Sequence, residues 1–258
     1  MMEDIMKVIE SLQNPTIKSI KKLHRKKYRD LENCYIIEGE HLVEEAVANG
    51  VAFKYLMIRE SHVSNYQAFI DYVGEEDSYS VTDGILKSLS QLPNQQDVLG
   101  VVYKKEINET TREPGNYLLL DNVQDPGNVG TMIRTADAAG FTHVILGAGC
   151  ADIYSSKVLR SMQGSQYHLM IEEAPLLEKI QQLKQQGYLI IGTELNEEAK
   201  HFKDVSVSGH YALVMGNEGQ GVSKEVLSAT DVNTYIPIIG QAESLNVGIA
   251  AGILMFSL

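Results

Sequence analysis

Apolar and polar residues come in alternating blocks along the chain, and the blocks predict strands and helices in turn. Asn14-Pro15 is a helix start, with the asparagine as cap and the proline at the first helical position. Ile17, Ile20 and Leu23 then make one apolar face, and Lys18, Lys21, Lys22 and Arg25 lie largely off it. The run YII at 35–37 predicts a strand and Glu38-Gly39 a turn. A helix is expected over 41–48, ended by Asn49-Gly50, then a strand over 55–58 and a helix over 66–73. Asp83 would cap a short helix over 85–89, and residues 98–103 form a further strand. Such alternation predicts a compact α/β module over 1–104. The polar stretch that follows, with a Pro-Gly near its end, reads as an interdomain linker over 105–116.

From residue 117 the pattern restarts. The apolar run YLLL at 117–120 has buried-strand character and ends at Asp121-Asn122. Asp125-Pro126-Gly127-Asn128 carries turn chemistry, and Asn128 would cap a helix bearing Val129, Met132, Ile133, Ala136 and Ala139, closed by Gly140. Strands are expected over 143–146, 168–171, 188–191, 211–215 and 235–238. Helices are expected over 155–162 and 176–186, from Ser223 to 227, and over 244–256. This order predicts a second, mostly parallel α/β domain over 117–258. In such sheets ligands bind where strands run out into loops, and the loop at 121–128 is one such place.

Composition narrows the reading. The 258 residues have ordinary apolar and charged fractions, which suit globular domains with real cores. The N-terminus lacks a signal-peptide pattern, and the apolar stretch at 245–258 is too short to span a bilayer. Cys34 and Cys150 stand apart, with no metal-ligand spacing. A cytoplasmic protein without a metal site or membrane contact is expected. Net charge is −12, yet residues 1–30 hold eight Lys and Arg against four Asp and Glu. A cationic segment on an acidic body fits local phosphate contact, and it fits a solvated helix face equally well.

Three polar-glycine stretches carry the chemistry: DNVQDPGNVGTMIRTADAAG at 121–140, LVMGNEGQGVS at 213–223 and IPIIGQAESLNVGIA at 236–250. The second has no lysine after its last glycine, which argues against a P-loop. Together, in this order and spacing, they resemble the signature motifs of the SpoU-type (TrmH-like) 2′-O-ribose RNA methyltransferases of the SPOUT superfamily. More weakly, Pro15 to Leu23 and the run YIIEGEHLVEEA at 35–46 resemble the start of the family's substrate-binding domain, an L30e-like RNA-binding fold.

The resemblance implies a deep trefoil knot in the C-terminal domain, S-adenosyl-L-methionine as cofactor, and a homodimer. Local physics would never suggest the knot. It implies an RNA substrate, most simply 23S or other rRNA; tRNA methylation, or a catalytically idle RNA binder of the same fold, is the alternative. A resistance methyltransferase acting on rRNA would share the same plan.

By the same resemblance Arg134 is catalytic, with Asn128, Glu218, Ser244 and Asn246 around the reaction centre. Thr193, Glu194, Gly216, Asn217, Ile236, Pro237, Ile238 and Leu245 line the cofactor. Asn128 and Ser244 could instead be plain N-caps. A guanidinium is not deprotonated in proteins, so Arg134 is expected to bind phosphate and stabilise alkoxide rather than act as a base. Lys18, Lys21, Lys22, Arg25 and Arg160 are the candidate RNA contacts. The chain departs from the family pattern at Gly248, where serine is common, and at its end, where an acidic residue is frequent.

Overall fold

The computed structural model of the chain describes residues 6–105 and 114–258. The extreme N-terminus and most of the expected linker, 106–113, lie outside the described residues. The chain divides into two compact units, and Tyr154–Leu159 belongs to the first rather than the second. Its Tyr154 ring lies 4.6 Å from that of Tyr35, with the Lys104 ammonium 4.7 Å from its centre.

In the first unit a short strand β1 (Lys7–Ile9) precedes helices α1 (Pro15–Lys22) and α2 (Lys26–Glu32). The expected cap is in place: Asn14 Oδ1 accepts from Thr16 N at 2.8 Å, and Ile17 and Ile20 are fully buried. Buried Arg29 on α2 donates through Nη1 to the Leu23 carbonyl at 2.7 Å, satisfying an end of α1 that would otherwise be orphaned. Strand β2 (Cys34–Glu38), helix α3 (Glu40–Ala48) and strand β3 (Phe53–Arg59) follow, then helix α4 (Gln67–Val73). Strand β4 (Ser78–Val81), helix α5 (Asp83–Leu89) and strand β5 (Val98–Tyr103) complete the unit. The sheet order is β1-β4-β3-β5-β2, with β5 antiparallel to both neighbours. Asp83 is the first helical residue of α5, not its cap; Thr82 stands there instead. Gly100 is required where it stands, because a Cβ would sit 2.7 Å from the Phe53 ring.

The second unit is a seven-stranded parallel sheet. Its elements are β6 (Tyr117–Leu120), α6 (Pro126–Ala138), β7 (His143–Leu146), β8 (Met170–Glu173), α8 (Leu176–Gln185) and β9 (Leu189–Thr193), with helix α7 (Ser156–Met162) between β7 and β8 in sequence and its residues 156–159 grouped with the first unit. Then come β10 (Lys200–His201), β11 (Tyr211–Met215), α9 (Lys224–Leu227), β12 (Val232–Tyr235) and α10 (Val247–Ser257). The order is β10-β12-β9-β11-β6-β7-β8. Leu118, Leu119 and Leu120 are all fully buried, as a central strand covered on both faces demands. Each such side chain contributes about 1.5–3 kcal/mol of burial.

From β6 the chain moves outward to β7 and β8, then returns to build β9 and β11 on the other side. The neighbours β6 and β11 thus flank a topological switch point, where ligands of open parallel sheets gather. Three sequence expectations shift here, the first being strand β8, which covers 170–173 rather than 168–171. The last strand is 232–235 rather than 235–238, and the final helix starts at Val247 rather than at 244. Among the described residues no helix is long and apolar enough to cross a membrane.

Candidate active site

Because the strands are parallel, the loops leaving β6, β9, β11 and β12 emerge at one edge of the sheet. The loop after β6 starts with Asp121, whose N–H donates to the Met215 carbonyl at 2.8 Å and whose Oδ2 accepts from Ser223 N at 2.7 Å. Asp125 caps α6: its Oδ1 accepts from Asn128 N at 3.0 Å, and Pro126 occupies the first helical position. Asn128 is therefore not the cap. It sits in the first turn, and its side chain is released for other partners.

The loop after β11 is closed on itself. Asn217 and Gly221 exchange both backbone hydrogen bonds at 2.9 Å. Asn217 Oδ1 accepts from Gly219 N and Gln220 N at 2.9 and 3.1 Å, while its Nδ2 donates to the Asn122 carbonyl at 2.9 Å. A Cβ on Gly216 would stand 2.1 Å from the Gly221 carbonyl carbon, so glycine is needed there for loop closure rather than for close approach of a ligand. Gly221 has φ 70, the left-handed region that glycine tolerates.

This closure presents Glu218 to the loop after β6. Its Oε1 accepts from Asp125 N and from Asn128 Nδ2 at 3.0 and 3.1 Å, and its Oε2 from Gln124 N at 3.3 Å. Burial pushes the Glu218 carboxyl up, but the Asn128 amide and the backbone donors outweigh it and hold the group below its ordinary value.

The third loop reaches the same place. Asn246, not Ser244, caps α10: its Oδ1 accepts from Gly248 N and Ile249 N at 2.9 and 3.3 Å. Its Nδ2 donates to Asn128 Oδ1 at 2.9 Å. A chain Glu218–Asn128–Asn246 thus ties all three motifs together across 90 and 118 residues of sequence. Ser244 is exposed in the loop just before the cap. Helix α10 lies along α6, with the Cβ positions of Gly248 and Gly252 within 3.5 and 3.6 Å of the Thr131 and Thr135 methyls. Gly248 is thus a packing position on the helix contact.

Arg134 stands six residues beyond Asn128, about 9 Å further along α6 by the rise of a helix. It is exposed and has no hydrogen-bond or ion-pair partner among the described residues. A cation left free beside an ordered polar network is available to a bound anion.

The candidate cofactor residues share this sheet edge. Thr193 Oγ1 donates to the Val214 carbonyl at 3.0 Å, tying β9 to β11, and Glu194 N donates to the Thr234 carbonyl at 3.1 Å. Ile236 and Pro237 follow β12 as half-buried loop residues, and Ile238 and Leu245 are exposed apolar side chains on the same loop. Polar backbone beside uncovered apolar surface suits an adenine ring and a sulfonium-bearing chain.

Arg160 is exposed in the last turn of α7, and the structure does not bring it into the three-motif network. Lys18, Lys22 and Arg25 are exposed and Lys21 half-buried, all in the first unit. The sequence reading missed Asp121 and Asp125, although Asp125-Pro126 has the same cap signature as Asn14-Pro15.

Comparison with known proteins matches this architecture. Residues 115–256 match the SpoU rRNA Methylase family, and residues 14–100 match the MRM3-like substrate binding domain. The chain is 42% identical over 256 residues to the 23S rRNA (guanosine(2553)-2′-O)-methyltransferase RlmP of Bacillus subtilis, covering 98% of this chain and 99% of that protein. The crystal structure of an AdoMet-bound rRNA methyltransferase from Sinorhizobium meliloti superposes with a TM-score of 0.86 at 31% identity, over 97% of this chain and 96% of that one. An RNA 2′-O ribose methyltransferase structure gives 0.83 at 27% identity, over 97% of each chain. The chain belongs to the SpoU rRNA methylase family, an enzyme with a substrate-binding domain ahead of its methyltransferase domain.

Proposed function

We propose that this enzyme methylates a ribose 2′-hydroxyl of 23S rRNA, at the guanosine matching the one named for RlmP. The observation that carries the reading is the Glu218–Asn128–Asn246 chain, with Arg134 on the same helix exposed and without a partner among the described residues. S-adenosylmethionine, when bound, supplies an electrophilic methyl group. Arg134 grips a phosphate beside the target ribose through its planar fork and stabilises the alkoxide that develops on the 2′-oxygen. Glu218, held ionised by its donors, is too weak a base for a hydroxyl. Its part is to fix the Asn128 amide, so that Asn128 and Asn246 offer a rigid polar wall, with the Ser244 hydroxyl beside it. The hydroxyl proton is left to water.

The loops bearing Thr193, Glu194, Gly216, Asn217, Ile236, Pro237, Ile238 and Leu245 line the cofactor. The C-terminal segment forms a deep trefoil knot, and the first unit is L30e-like. What favours the knot is that the chain leaves β12, beyond β9, and comes back across the sheet edge to lay α10 on α6. The enzyme works as a homodimer. Ile249 and Phe256 on α10 and Ile239 before it are 56%, 66% and 97% exposed, apolar surface that a second copy would cover. Its place is the cytoplasm. Cys34 and Cys150 are unpaired, and burial raises both thiols, Cys150 to about 11, which leaves them inert.

The test is ribose-methylation mapping of total rRNA and tRNA from cells with and without the gene. One 23S site should vanish, returning with wild type and not with Arg134→Ala. A lost tRNA site would replace the substrate assignment, and no lost site would overturn the enzyme reading. Sedimentation of wild type against Phe256→Glu tests the dimer, which should dissociate in the variant.

A further inference from the structure

The first unit holds a cavity of about 140 Å³ between α1, α2 and the sheet, and no residue of the three motifs lines it. Its floor is core: Ile20, Leu23 and Val101 are buried. Two half-buried rings, Tyr28 and Tyr55, line it, each with an ammonium nearby. Lys22 Nζ lies 5.7 Å from the Tyr28 centroid and Lys54 Nζ 5.9 Å from that of Tyr55. Glu32 closes the rim, its Oε2 accepting from Lys54 at 2.9 Å.

Each feature points to the same kind of ligand. A cavity of this size with aliphatic and aromatic walls takes about one benzene-sized ring. Cations over aromatic faces, with more cations around them, are how proteins hold unpaired nucleotides, the ring stacking on the base and the lysines meeting phosphate. Lys18, Arg25 and Lys27 are exposed on the adjoining α1–α2 segment, on a chain whose net charge is −12. The Oε1 atom of Glu32 accepts no described hydrogen bond, so it can accept from the amino edge of a base.

We propose that this cavity receives one unpaired nucleobase of the RNA substrate, stacked on Tyr28 with its amino edge toward Glu32 and its phosphates on Lys22 and Lys18. This rests on the RNA-methyltransferase reading and extends it: the first unit reads an extruded base, not only backbone charge. The site lies outside the methyl-transfer machinery, so it contributes to substrate choice and binding.

The chain contains no tryptophan, so Tyr28→Trp in the full-length protein places a single indole in the cavity. A cytidine decamer should quench its emission, and a decamer of the same length and charge with abasic riboses should not. In the otherwise native chain, Tyr28→Ala should weaken binding of the cytidine decamer about tenfold and leave the abasic decamer unchanged. Tyr28→Phe should keep the preference, and Lys22→Ala should weaken both oligomers alike. Equal quenching by the two decamers, or equal loss of both in Tyr28→Ala, would overturn the proposal. Methyl transfer to rRNA by wild type is measured alongside: if transfer stands while the decamers behave alike, only the base pocket falls. If transfer fails, the functional reading falls on its own.

Discussion

Helices α1 and α6 begin with the same device and use it differently. Each opens on a side-chain cap followed by proline: Asn14 accepts from Thr16 N at 2.8 Å, and Asp125 from Asn128 N at 3.0 Å. On α1 the cap serves the helix alone, and the exposed face carries several cations, Lys18 and Lys22 among them. On α6 the cap leaves the first-turn amide of Asn128 with no duty to its own helix. That amide binds Glu218 and Asn246 from the two later motifs, and one arginine stands on the turns above. The difference shows how a helix start becomes a site: end-capping is delegated one turn upstream, and the freed polar group is fixed from outside.

The largest break in that comparison should come from the cations. Arg134→Ala should lower single-turnover methyl transfer about 10²–10³-fold, as removal of a preorganised donor does. Arg134→Lys should recover little, since a point charge lacks the bidentate fork. Lys18→Ala, one cation among several, should change the rate less than about tenfold and act on RNA affinity, with a shallower salt dependence. Equal effects of Arg134→Ala and Lys18→Ala would make Arg134 an ordinary surface charge.

The next break is at the freed amide. Asn128→Ala strands Glu218 and Asn246 together and should cost about 1–3 kcal/mol in denaturant unfolding, with a rate loss of about 10²-fold. Asn128→Asp should be no better, because it cannot donate and sets a second carboxylate against Glu218. Smaller still are the caps. Asn14→Ala and Asp125→Ala should each cost about 1 kcal/mol, but only Asp125→Ala should slow methyl transfer, since Asn128 rides on that turn. A rate loss in Asn14→Ala would break the distinction between the two helices.

Much of this was readable before any coordinates. The strands at 98–103, 117–120, 143–146 and 211–215 were legible to the residue, because a strand buried on both faces leaves an unbroken apolar run. Strand β4, SYSV, was missed: its buried serines suit a close-packed sheet, and Ser78 satisfies itself on the Gly74 carbonyl at 2.8 Å. Strand β12 was placed three residues late, since VNTY gives a weaker apolar signal than the run after it and lies between two strands that supply its partners. The apolar run at 236–239 misled in the opposite sense. It is loop, and Ile239 is almost wholly exposed, so its apolar character answers to something outside the fold. The site residues were named through family resemblance; no local pattern joins Asn128 to positions 90 and 118 residues away. What local chemistry could have given is the cap, since Asp125-Pro126 repeats Asn14-Pro15.

The smallest expected effect tests what kind of group Glu218 is. Burial raises its carboxyl, but the Asn128 amide and the N–H groups of Asp125 and Gln124 outweigh it, so the folded value lies below the ordinary 4.5 of a glutamate. A carboxyl depressed on folding adds stability that is complete above its unfolded value and is lost as pH falls through the folded one. Wild type should therefore lose more stability than Glu218→Gln on acidification, and the gap should open only below about pH 4.5. The gap should be small, because the carboxylate is exposed and solvent screens it. Denaturant midpoints of both proteins at about pH 6 and about pH 4 measure it. The two roles differ on the acid side of the pH–rate profile, because only a group that takes the proton must be ionised for the reaction. If Glu218 only holds Asn128, Glu218→Gln lowers the rate and leaves the profile's shape intact. If the variant loses a limb of that profile, Glu218 takes the proton, and the division of labour between cap, amide and arginine must be redrawn around a base.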